Sequence, residues 1–367
     1  MQQKELSINW ICPNPSPYNN YLFRALSADT DINLEVYFCN KSIPSHPWVD
    51  EAPEGFKHRY CKNSFLVKAE LVKKALGSKR CIFVLSGWNK LIYWTMLIIL
   101  MLKKRPYIIW TDTPSIAKNR MWAKRKVRSI WLKNIFNRAL AVMSTGNPGV
   151  ETLEKIGCPT KKIVNFPCWV PLLENSEFQE KGIDKKIRFF AIGRLNLLKR
   201  HELTIKAFSE VSERFKEKNI ELWIFGDGPE RKSLEALSKK LGIEKKVKFY
   251  GWCKSSFIQS KIMEADVLLH PSLWDAYGVA VLEAMAHGKP VIASDATMAA
   301  LDRVRQGNSG FIFKKFDTLQ LAEYMSFFIS HPEKIEIMGK EARKTAQAWP
   351  VERASEILKN IINKQTA

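Results

Sequence analysis

The sequence lacks the features that mark disulfide-stabilised, zinc-binding and membrane-spanning proteins. Its seven cysteines are scattered, odd in number and never form a CxxC pair, so we expect reduced thiols and no zinc site. No basic-then-apolar segment opens the chain, which predicts no signal peptide and a cytoplasmic location. The longest apolar run, Leu91–Leu102, is too short to cross a bilayer. It predicts a buried helix, with an interfacial segment as the alternative.

The chain is long and apolar enough to build two hydrophobic cores. It has 367 residues, of which 46% are hydrophobic, whereas one domain usually takes about 150–200 residues. Short apolar runs alternate with helical segments in both halves, and strands that alternate with helices pair into parallel sheets. A composition break over 167–186 separates the halves. The sequence therefore predicts an α/β protein with two parallel-sheet domains.

Acidic residues are scarce in the first half of the chain. The formal net charge is +21, and residues 1–175 hold 26 of the 58 Lys and Arg but only 12 of the 37 Asp and Glu. A positive field of this kind favours an anionic partner, such as a membrane surface, an anionic lipid carrier or a nucleic acid.

One segment, 118–138, carries eight of these basic residues and no acid. Trp122, Ile130, Trp131 and Phe136 recur there at near-helical spacing. Basic residues interleaved with aromatic and aliphatic ones are typical of a helix that lies on an anionic membrane. The alternative is an ordinary amphipathic helix with a solvated basic face. A nucleic-acid partner is disfavoured because no recognition motif accompanies the charge.

The stretch 266–295 organises the second half of the chain. Two apolar runs, 267–269 and 291–293, flank a polar turn and an apolar helix, Val279–Ala286. Strand, loop, helix and strand form a βαβ unit, and open parallel sheets bind ligands at the loop that follows the strand. We therefore expect a binding site in the loop 270–278.

Two acids, Asp275 and Glu283, flank the end of that loop. Carboxylates accept protons from the hydroxyls of a polyol. Gly278 lets the backbone approach a ligand closely, and the unpaired N–H groups of the helix start favour a phosphate. The pattern suits a polyol beside a phosphate. The alternative is a capped helix with a solvated Glu283.

This motif resembles the retaining glycosyltransferases of family 4, the glycosyl transferases group 1, which have the GT-B fold. The resemblance lies in Asp275, Gly278 and the run Glu-Ala-Met-Ala-x-Gly-x-Pro-Val-Ile-Ala-Ser that begins at Glu283. The usual motif has Glu at both ends of its seven-residue gap, whereas Asp275 stands first here. The resemblance implies two Rossmann-like parallel-sheet domains that face an interdomain cleft, with a C-terminal helix returning to the N-terminal domain.

A second motif, Gly193-Arg194-Leu195 with Lys199, resembles the same family. Both cations follow the first predicted strand of the second half. A nucleotide-sugar breaks between its anomeric carbon and its diphosphate, and fixed cations stabilise the charge that develops on the leaving oxygens. The resemblance therefore implies catalytic roles for Arg194 and Lys199. The alternative is a pair of solvated loop cations.

The resemblance also implies a role for each residue of the first motif. Asp275 is expected to contact the transferred sugar and act in catalysis, and Glu283 to bind the ribose of the donor. The backbone amides of Tyr277, Gly278 and Val279 are expected to assist in holding the diphosphate.

Three more positions are candidates on weaker grounds. Gly193 opens the second motif and is assigned to donor binding. Trp252 follows a predicted strand, so it lies either against the donor base or inside the fold. Asp112, after a strand of the first half, is an acceptor-side candidate. No metal and no cofactor are required in this scheme, because cations and a helix start take the metal's place.

The implied organisation divides the chain into four parts. Residues 1–170 form an N-terminal acceptor-binding domain, and 171–186 form a linker. Residues 187–348 form the nucleotide-sugar-binding domain, and 349–367 form a helix that crosses back to the first domain.

The sequence and the resemblance together indicate a hexosyltransferase that uses a nucleotide-diphosphate sugar and retains configuration. A basic, aromatic first half suits a glycan or lipid-linked acceptor at the inner face of a bacterial-type cell membrane, in the synthesis of surface polysaccharide, lipopolysaccharide or glycolipid. One alternative is a sugar-nucleotide epimerase with the GT-B fold. The other is a non-catalytic basic protein that binds membrane or nucleic acid.

Overall fold

The computed structural model describes residues 6–42, 52–77, 81–114, 122–172 and 186–364, and only the backbone of 122–127. Within these residues the strands are β1 (Leu6–Cys12), β2 (Ile32–Phe38), β3 (Lys57–Tyr60), β4 (Cys81–Leu85), β5 (Tyr107–Thr111), β6 (Ala141–Ser144), β7 (Ile163–Asn165), β8 (Ile187–Ile192), β9 (Ile220–Phe225), β10 (Val247–Gly251), β11 (Val267–His270), β12 (Val291–Ser294) and β13 (Gly310–Phe313).

The helices alternate with these strands along the chain. They are α1 (Pro17–Ala28), α2 (Phe65–Leu76), α3 (Leu91–Leu102), α4 (Trp122–Arg138), α5 (Gly146–Lys155), α6 (His201–Arg214), α7 (Arg231–Lys240), α8 (Ser255–Glu264), α9 (Val279–Ala286), α10 (Met298–Arg303), α11 (Thr318–Ser330), α12 (Glu333–Gln347) and α13 (Arg353–Asn363).

The chain divides into two compact units. The first takes residues 1–169 and 351–367, and the second takes 170–350. Most of the predicted linker, 173–185, lies outside the described residues. Two parallel-sheet α/β domains are present, so the predicted fold class is confirmed.

In the first unit a seven-stranded parallel sheet has the order β3-β2-β1-β4-β5-β6-β7. One face of the sheet forms a core with α1 and the returning helix α13, and the other face forms a core with α2, α3, α4 and α5. Alternate residues of each strand enter opposite cores, because side chains of a strand point to its two faces in turn. Trp10 thus faces α1, and Phe83 faces α3.

In the second unit a six-stranded parallel sheet has the order β10-β9-β8-β11-β12-β13. The chain winds outward from β8 to β10, then returns to place β11 on the other side of β8. The winding direction therefore reverses between β8 and β11. In such sheets a crevice opens at the carboxyl ends of the two strands where the order reverses.

Two segments differ from what the sequence pattern predicts. The proline-containing stretch 40–60 predicts a loop, but Lys57–Tyr60 pairs with β2 as the edge strand β3. Its alternating exposed and half-buried side chains give little apolar signal. The stretch 319–348 predicts one long helix, whereas the structure has α11 and α12. Pro332 separates them, because proline disfavours helical backbone in the residue before it.

Candidate functional site

Two loops meet where the second sheet reverses its winding. The loop 193–199 leaves the carboxyl end of β8, and the loop 271–278 leaves the carboxyl end of β11. The two strands are hydrogen-bonded neighbours in the sheet. A backbone hydrogen bond also joins the two loops, because the Leu273 N–H donates to the Leu198 carbonyl at 2.7 Å. The sheet thus brings the two sequence motifs to one place.

The first loop is held against the turn that follows β9. The Gly193 N–H donates to the Phe225 carbonyl at 3.0 Å, and the Leu195 N–H donates to the Asp227 carbonyl at 2.9 Å. Two glycines make this approach possible. A Cβ on Gly226 would lie 2.0 Å from the Gly193 oxygen, and one on Gly228 would lie 2.3 Å from the Leu195 oxygen.

Asn196 sets the path of the chain between the two cations of that loop. Its side-chain oxygen accepts hydrogen bonds from the N–H groups of Leu198 and Lys199, both at 3.1 Å. Its carbonyl accepts a further bond from the Lys199 N–H at 3.1 Å. Asn residues form such side-chain turns readily. Lys199 is therefore fixed at its backbone before its side chain makes any contact.

Lys199 and Asp275 form an ion pair that joins the two loops. The Lys199 ammonium contacts the Asp275 carboxylate, and the side chains are 23% and 14% exposed. The same carboxylate oxygen lies 2.8 Å from Nε2 of His270, the last residue of β11. Ser272 Oγ lies 3.2 Å from that ring nitrogen. Asp275 is thus the centre of a cluster drawn from both loops.

Burial and charge together determine the protonation of this cluster. Burial alone would raise the pKa of Asp275, but the Lys199 charge and the His270 hydrogen bond outweigh it and hold the pKa well below its usual range. The pKa of His270 is lowered, mainly by burial, and its contact with Asp275 offsets this only in part. A neutral His270 must carry its proton on Nε2 to donate to the carboxylate. The cluster therefore contains one cation, one anion and one neutral donor.

His201, the first residue of α6, is a second buried histidine beside the cluster. Burial, together with the nearby Lys199 and His270, lowers its pKa from 6.5 to about 3. A Cβ on Gly193 would lie 3.7 Å from its Nε2 and 3.6 Å from the Lys199 stem. His201 therefore packs as a neutral ring next to Lys199.

The second loop is held by the segment 296–299, which includes the first turn of α10. The Asp275 N–H donates to the Ala296 carbonyl at 3.0 Å, and the Ala299 N–H donates to the Tyr277 carbonyl at 2.6 Å. Gly278 has φ +95, and a Cβ there would lie 2.9 Å from Cγ2 of Thr297. The left-handed conformation and the close approach both require glycine.

The start of α9 offers backbone donors beside the cluster. Among the described residues, the N–H groups of Gly278, Val279 and Ala280 have no hydrogen-bond acceptor. The first N–H groups of a helix point along its axis, where they favour an anion. A phosphate at this helix end would lie beside the ammonium of Lys199.

The other predicted donor-side residues occupy positions around these loops. Glu283 is half-buried in α9 and keeps its carbonyl bonded to the His287 ring at 2.7 Å. Arg194 is half-buried, and within the described chain its guanidinium has no hydrogen-bond or ion-pair partner. Trp252 follows β10 with 43% of its surface exposed, so its ring is accessible rather than part of a core.

Asp112 belongs to the first unit, whereas all the residues above belong to the second. It follows β5 and is exposed. The half-buried Tyr18 lies close enough for the Asp112 charge to add to the effect of desolvation, and together they raise the pKa of this phenol well above its usual value.

Three residues of the site were missed from the sequence alone. They are Asn196, His201 and His270. Each sits two to five residues from a predicted site residue, but no spacing rule marks it. Only His270 could have been found from the sequence. It ends a buried apolar strand, so its imidazole needs a polar partner, and the loop that follows contains Asp275.

Metal-binding clusters are absent from the described part of the chain, where no group of three or more His, Cys, Asp and Glu is arranged to hold an ion. None of the helices described combines the length and hydropathy needed to span a bilayer.

Most of the second unit matches a known family of protein domains. Residues 174–345, just under half of the chain, match the family model described as glycosyl transferases group 1. Both sequence motifs and all three missed residues lie in this range. The predicted resemblance is confirmed at this level.

Curated relatives align over part of their length. EpsD of Bacillus subtilis, named provisionally as a glycosyltransferase, is 30% identical over 239 residues, 63% of this chain and 61% of its own. The α-D-kanosaminyltransferase of Streptomyces kanamyceticus is 28% identical over 46% of this chain and 43% of its own. The lipopolysaccharide 1,6-galactosyltransferase of Salmonella typhimurium is 35% identical over 25% of this chain and 26% of its own. The chain thus spans less than two thirds of each of these relatives.

Solved structures match the fold over almost the whole chain. HepE of Anabaena, in complex with UDP and glucose, superposes with a TM-score of 0.75 at 17% identity, covering 98% of this chain and 100% of that one. The lipopolysaccharide outer core galactosyltransferase WaaB superposes with a TM-score of 0.73 at 18% identity, covering 98% and 99%. The two-domain GT-B fold of these enzymes is therefore the fold of this chain.

Proposed function

We propose, starting from the glycosyl transferases group 1 domain of residues 174–345, that this chain is a hexosyltransferase of family 4. It takes a sugar from a nucleotide-diphosphate sugar and retains the configuration of the anomeric carbon. No metal and no cofactor enter this scheme. The acceptor is a glycan or a lipid-linked glycan in the synthesis of bacterial-type surface polysaccharide, lipopolysaccharide or glycolipid.

The observation that carries the proposal is the Lys199–Asp275–His270 cluster beside the unpaired start of α9. A diphosphate needs positive charge and N–H donors, and both lie next to this ion pair. Two solved structures with this fold contain UDP or UDP with glucose, which is consistent with a uridine nucleotide as the first donor to test.

Each group has a role in the proposed transfer. The bond between the anomeric carbon and the diphosphate oxygen breaks, and its electron pair goes to the diphosphate. Lys199, Arg194 and the amides of Tyr277, Gly278 and Val279 stabilise that charge. The acceptor oxygen bonds to the same face of the carbon, and its proton goes to the departing diphosphate.

The remaining site residues bind the donor. Glu283 accepts hydrogen bonds from the ribose hydroxyls, and the accessible ring of Trp252 lies against the base. Gly193, which lies beside the Lys199 stem, is proposed to bind the donor. Asp275 fixes the Lys199 ammonium through one oxygen and contacts the sugar through the other. Asp112 is proposed on the acceptor side.

The proposed location is the cytoplasm, at the inner face of the cell membrane. The positive first half and the basic helix α4 support an anionic surface as partner, and nucleic acid is not proposed as a partner.

A donor screen followed by product analysis tests the proposal. We expect UDP, GDP or ADP and one of the corresponding sugars to raise the melting temperature of the wild-type protein. The rise should disappear in Arg194→Ala and persist in the control Arg214→Ala, which removes an exposed arginine of α6 that bonds Glu210 and Ser326.

The product then distinguishes the alternatives. With a glycan acceptor we expect a glycoside of unchanged anomeric configuration, measured by NMR. Release of an epimerised sugar nucleotide without acceptor would support the epimerase instead. Stabilisation by no nucleotide at all would support a non-catalytic binding protein.

A further inference from the structure

The helix α3 has one face in the core and one face in solvent, although both are apolar. Four side chains pack inward: Tyr93, Met96, Leu97 and Leu100 are at most 1% exposed. The opposite side chains Leu91, Trp94, Ile98 and Leu102 are 83%, 48%, 43% and 75% exposed. They recur every three or four residues and so line one stripe along the helix. The sequence predicted burial for this segment, and the structure buries only half of it.

The polar groups on this stripe are already satisfied within the helix and the chain next to it. The Trp94 indole N–H donates to the Trp88 carbonyl at 2.7 Å. The exposed Thr95 hydroxyl donates to the Leu91 carbonyl at 3.0 Å. The outward surface of α3 therefore presents hydrocarbon and an aromatic ring, with no hydrogen bond to lose on leaving water.

The neighbouring helix α4 extends the apolar surface. Its Trp131 ring contacts the Trp94 ring at a centroid distance of 5.7 Å, and Ile130 beside it is 58% exposed. Large apolar patches of this kind on a protein surface mark an interaction site. Indole rings are also enriched where an apolar phase meets water.

The surface is bordered by positive charge. Lys90 precedes α3, Lys103 and Lys104 follow it, and Lys133 is exposed on α4. Neither helix contains an Asp or Glu. An apolar stripe with a cationic border complements an anionic phospholipid surface, in which acyl chains lie beneath negative head groups.

We propose that the outward face of α3 is the part of this protein that enters the head-group region of an anionic bilayer. The helix has 12 residues and so is about 18 Å long, which suits a helix lying in the plane of the interface. Leu91, Trp94, Ile98 and Leu102 enter the apolar phase, and the border lysines contact the phosphates. This inference rests on the proposed function in one respect: a lipid-linked acceptor would be located in the membrane that α3 binds.

Membrane binding through the apolar face of α3 differs from binding through a basic helix alone in its dependence on salt. Attraction between exposed charges is screened by salt, because the Debye length falls from about 10 Å at 0.1 M to about 3 Å at 1 M. Burial of apolar side chains is not screened. Binding through α3 should therefore survive high salt.

Vesicle co-sedimentation of the full chain tests the proposal. The probes are vesicles of phosphatidylcholine with phosphatidylglycerol, and of phosphatidylcholine alone, each at low and high salt. The test variant is Leu91→Gln with Ile98→Gln, since glutamine keeps helix propensity. The matched control is Leu319→Gln with Ile337→Gln, which removes two exposed apolar side chains from α11 and α12.

We expect the wild type to bind the anionic vesicles at both salt concentrations. The α3 variant should lose about tenfold in partitioning at both, as expected for removing two partly inserted aliphatic side chains, and the control should bind as the wild type does. A Lys103→Gln, Lys133→Gln variant should bind more weakly than the wild type at low salt and equally well at high salt, where the lysine charges are screened. These results would support the proposal.

Two results would overturn it. One is wild-type partitioning by the α3 variant at high salt. The other is a wild-type dimer, detected by light scattering, that the α3 variant converts to monomer while neither binds vesicles, because the face would then be occupied by a second copy. Vesicle binding needs no sugar donor. Loss of the α3 proposal would therefore leave the result of the nucleotide screen unchanged, and a negative nucleotide screen would leave the vesicle result unchanged.

Discussion

Lys199 is the residue through which the two loops of the site contact each other by side chains. Its ammonium is fixed by Asp275, whose carboxylate is fixed in turn by His270. Arg194, by contrast, has no partner within the described residues. The two cations are therefore held differently: Lys199 is preorganised by Asp275, and Arg194 is available for a ligand.

We predict that Arg194→Ala slows sugar transfer by about 10²–10³, the usual cost of losing one group that stabilises developing charge. The melting temperature should barely change, since the side chain bonds nothing in the described structure. Steady-state kinetics and a thermal melt measure the two quantities. Transfer at the wild-type rate would contradict the assigned role, and Arg214→Ala serves as the control.

Gly278 offers a matched test of the loop at the start of α9. An alanine there takes φ +95 and meets Thr297 at 2.9 Å and Asp275 at 3.3 Å, whereas an alanine at Gly307 takes φ +72 and meets nothing within 4 Å. Both pay a left-handed backbone cost of about 1–2 kcal/mol.

We predict that both alanine variants lower the melting temperature, and that only Gly278→Ala weakens nucleotide binding, by at least about tenfold. Isothermal titration with the nucleotide found in the donor screen measures this. Equal binding by the two variants would mean that the shape of this loop does not matter for the donor.

The sequence predicts at this scale that two loops lie at one edge of the sheet, because a strand end places the next few residues at the crevice. The roles of Arg194, Lys199, Asp275 and Glu283 come from the family resemblance and stay predictions. Side-chain pairing does not follow from spacing. Nothing in the sequence says that Asp275 contacts Lys199, because their loops are neighbours only after β11 has returned beside β8.

At the scale of elements, α6 contributes to the acid sensitivity of the second unit through its first residue. Its first residue, His201, is buried and neutral, with its pKa lowered from 6.5 to about 3. The unfolded chain therefore binds more protons than the folded chain throughout this range. Stability must rise with pH from about 3 to about 6.5, and it is lost on acidification. His270 acts in the same direction, because its pKa is also lowered.

We predict that His201→Asn reduces the slope of unfolding free energy against pH in this window by up to about 1.4 kcal/mol per pH unit. Urea unfolding at several pH values measures the slope, which is independent of any constant loss caused by the substitution. His331→Asn, which replaces a histidine at an exposed position, is the matched control. An unchanged slope in His201→Asn would show that this ring is not the titrating group.

The elements differ in how far the sequence reveals them. The bounds of α3 and α9 are predicted correctly, because each is a mostly apolar run with clear ends. The edge strand β3 is missed, since Lys57–Tyr60 is polar and gains its structure from pairing with β2. The two faces of α3 are also indistinguishable in the sequence, because a wholly apolar helix has no polar side to mark the solvent.

For the whole molecule, the important connection is that α13 completes the first unit. Leu358 and Ile361 lie in the same core as Trp10 and Phe23. Lys359 on the opposite side bonds Asp29 at 2.9 Å and Asp31 at 2.7 Å. Asp29-Thr30-Asp31 imitates a metal-binding motif in sequence, but its carboxylates hold this helix.

We predict that Leu358→Ala costs about 2–4 kcal/mol of stability, because a fully buried leucine leaves a cavity. Lys359→Ala should cost less than about 1 kcal/mol, since its bridges are partly exposed and screened by water. Chemical denaturation followed by tryptophan fluorescence measures the free energy of unfolding of both variants and so distinguishes the two losses. A larger loss from Lys359→Ala would mean that the charges, rather than the packing, fix the helix.

The position of α13 has a consequence for biosynthesis. Residues 351–364 leave the ribosome after the entire second unit, 170–350, although their place is in the first. The first unit therefore stays incomplete while the second unit is translated, and the groove for α13 beside α1 stays open during that time. During that interval a chaperone has an apolar groove to bind, and a premature stop near Pro350 would harm the unit that was synthesised first.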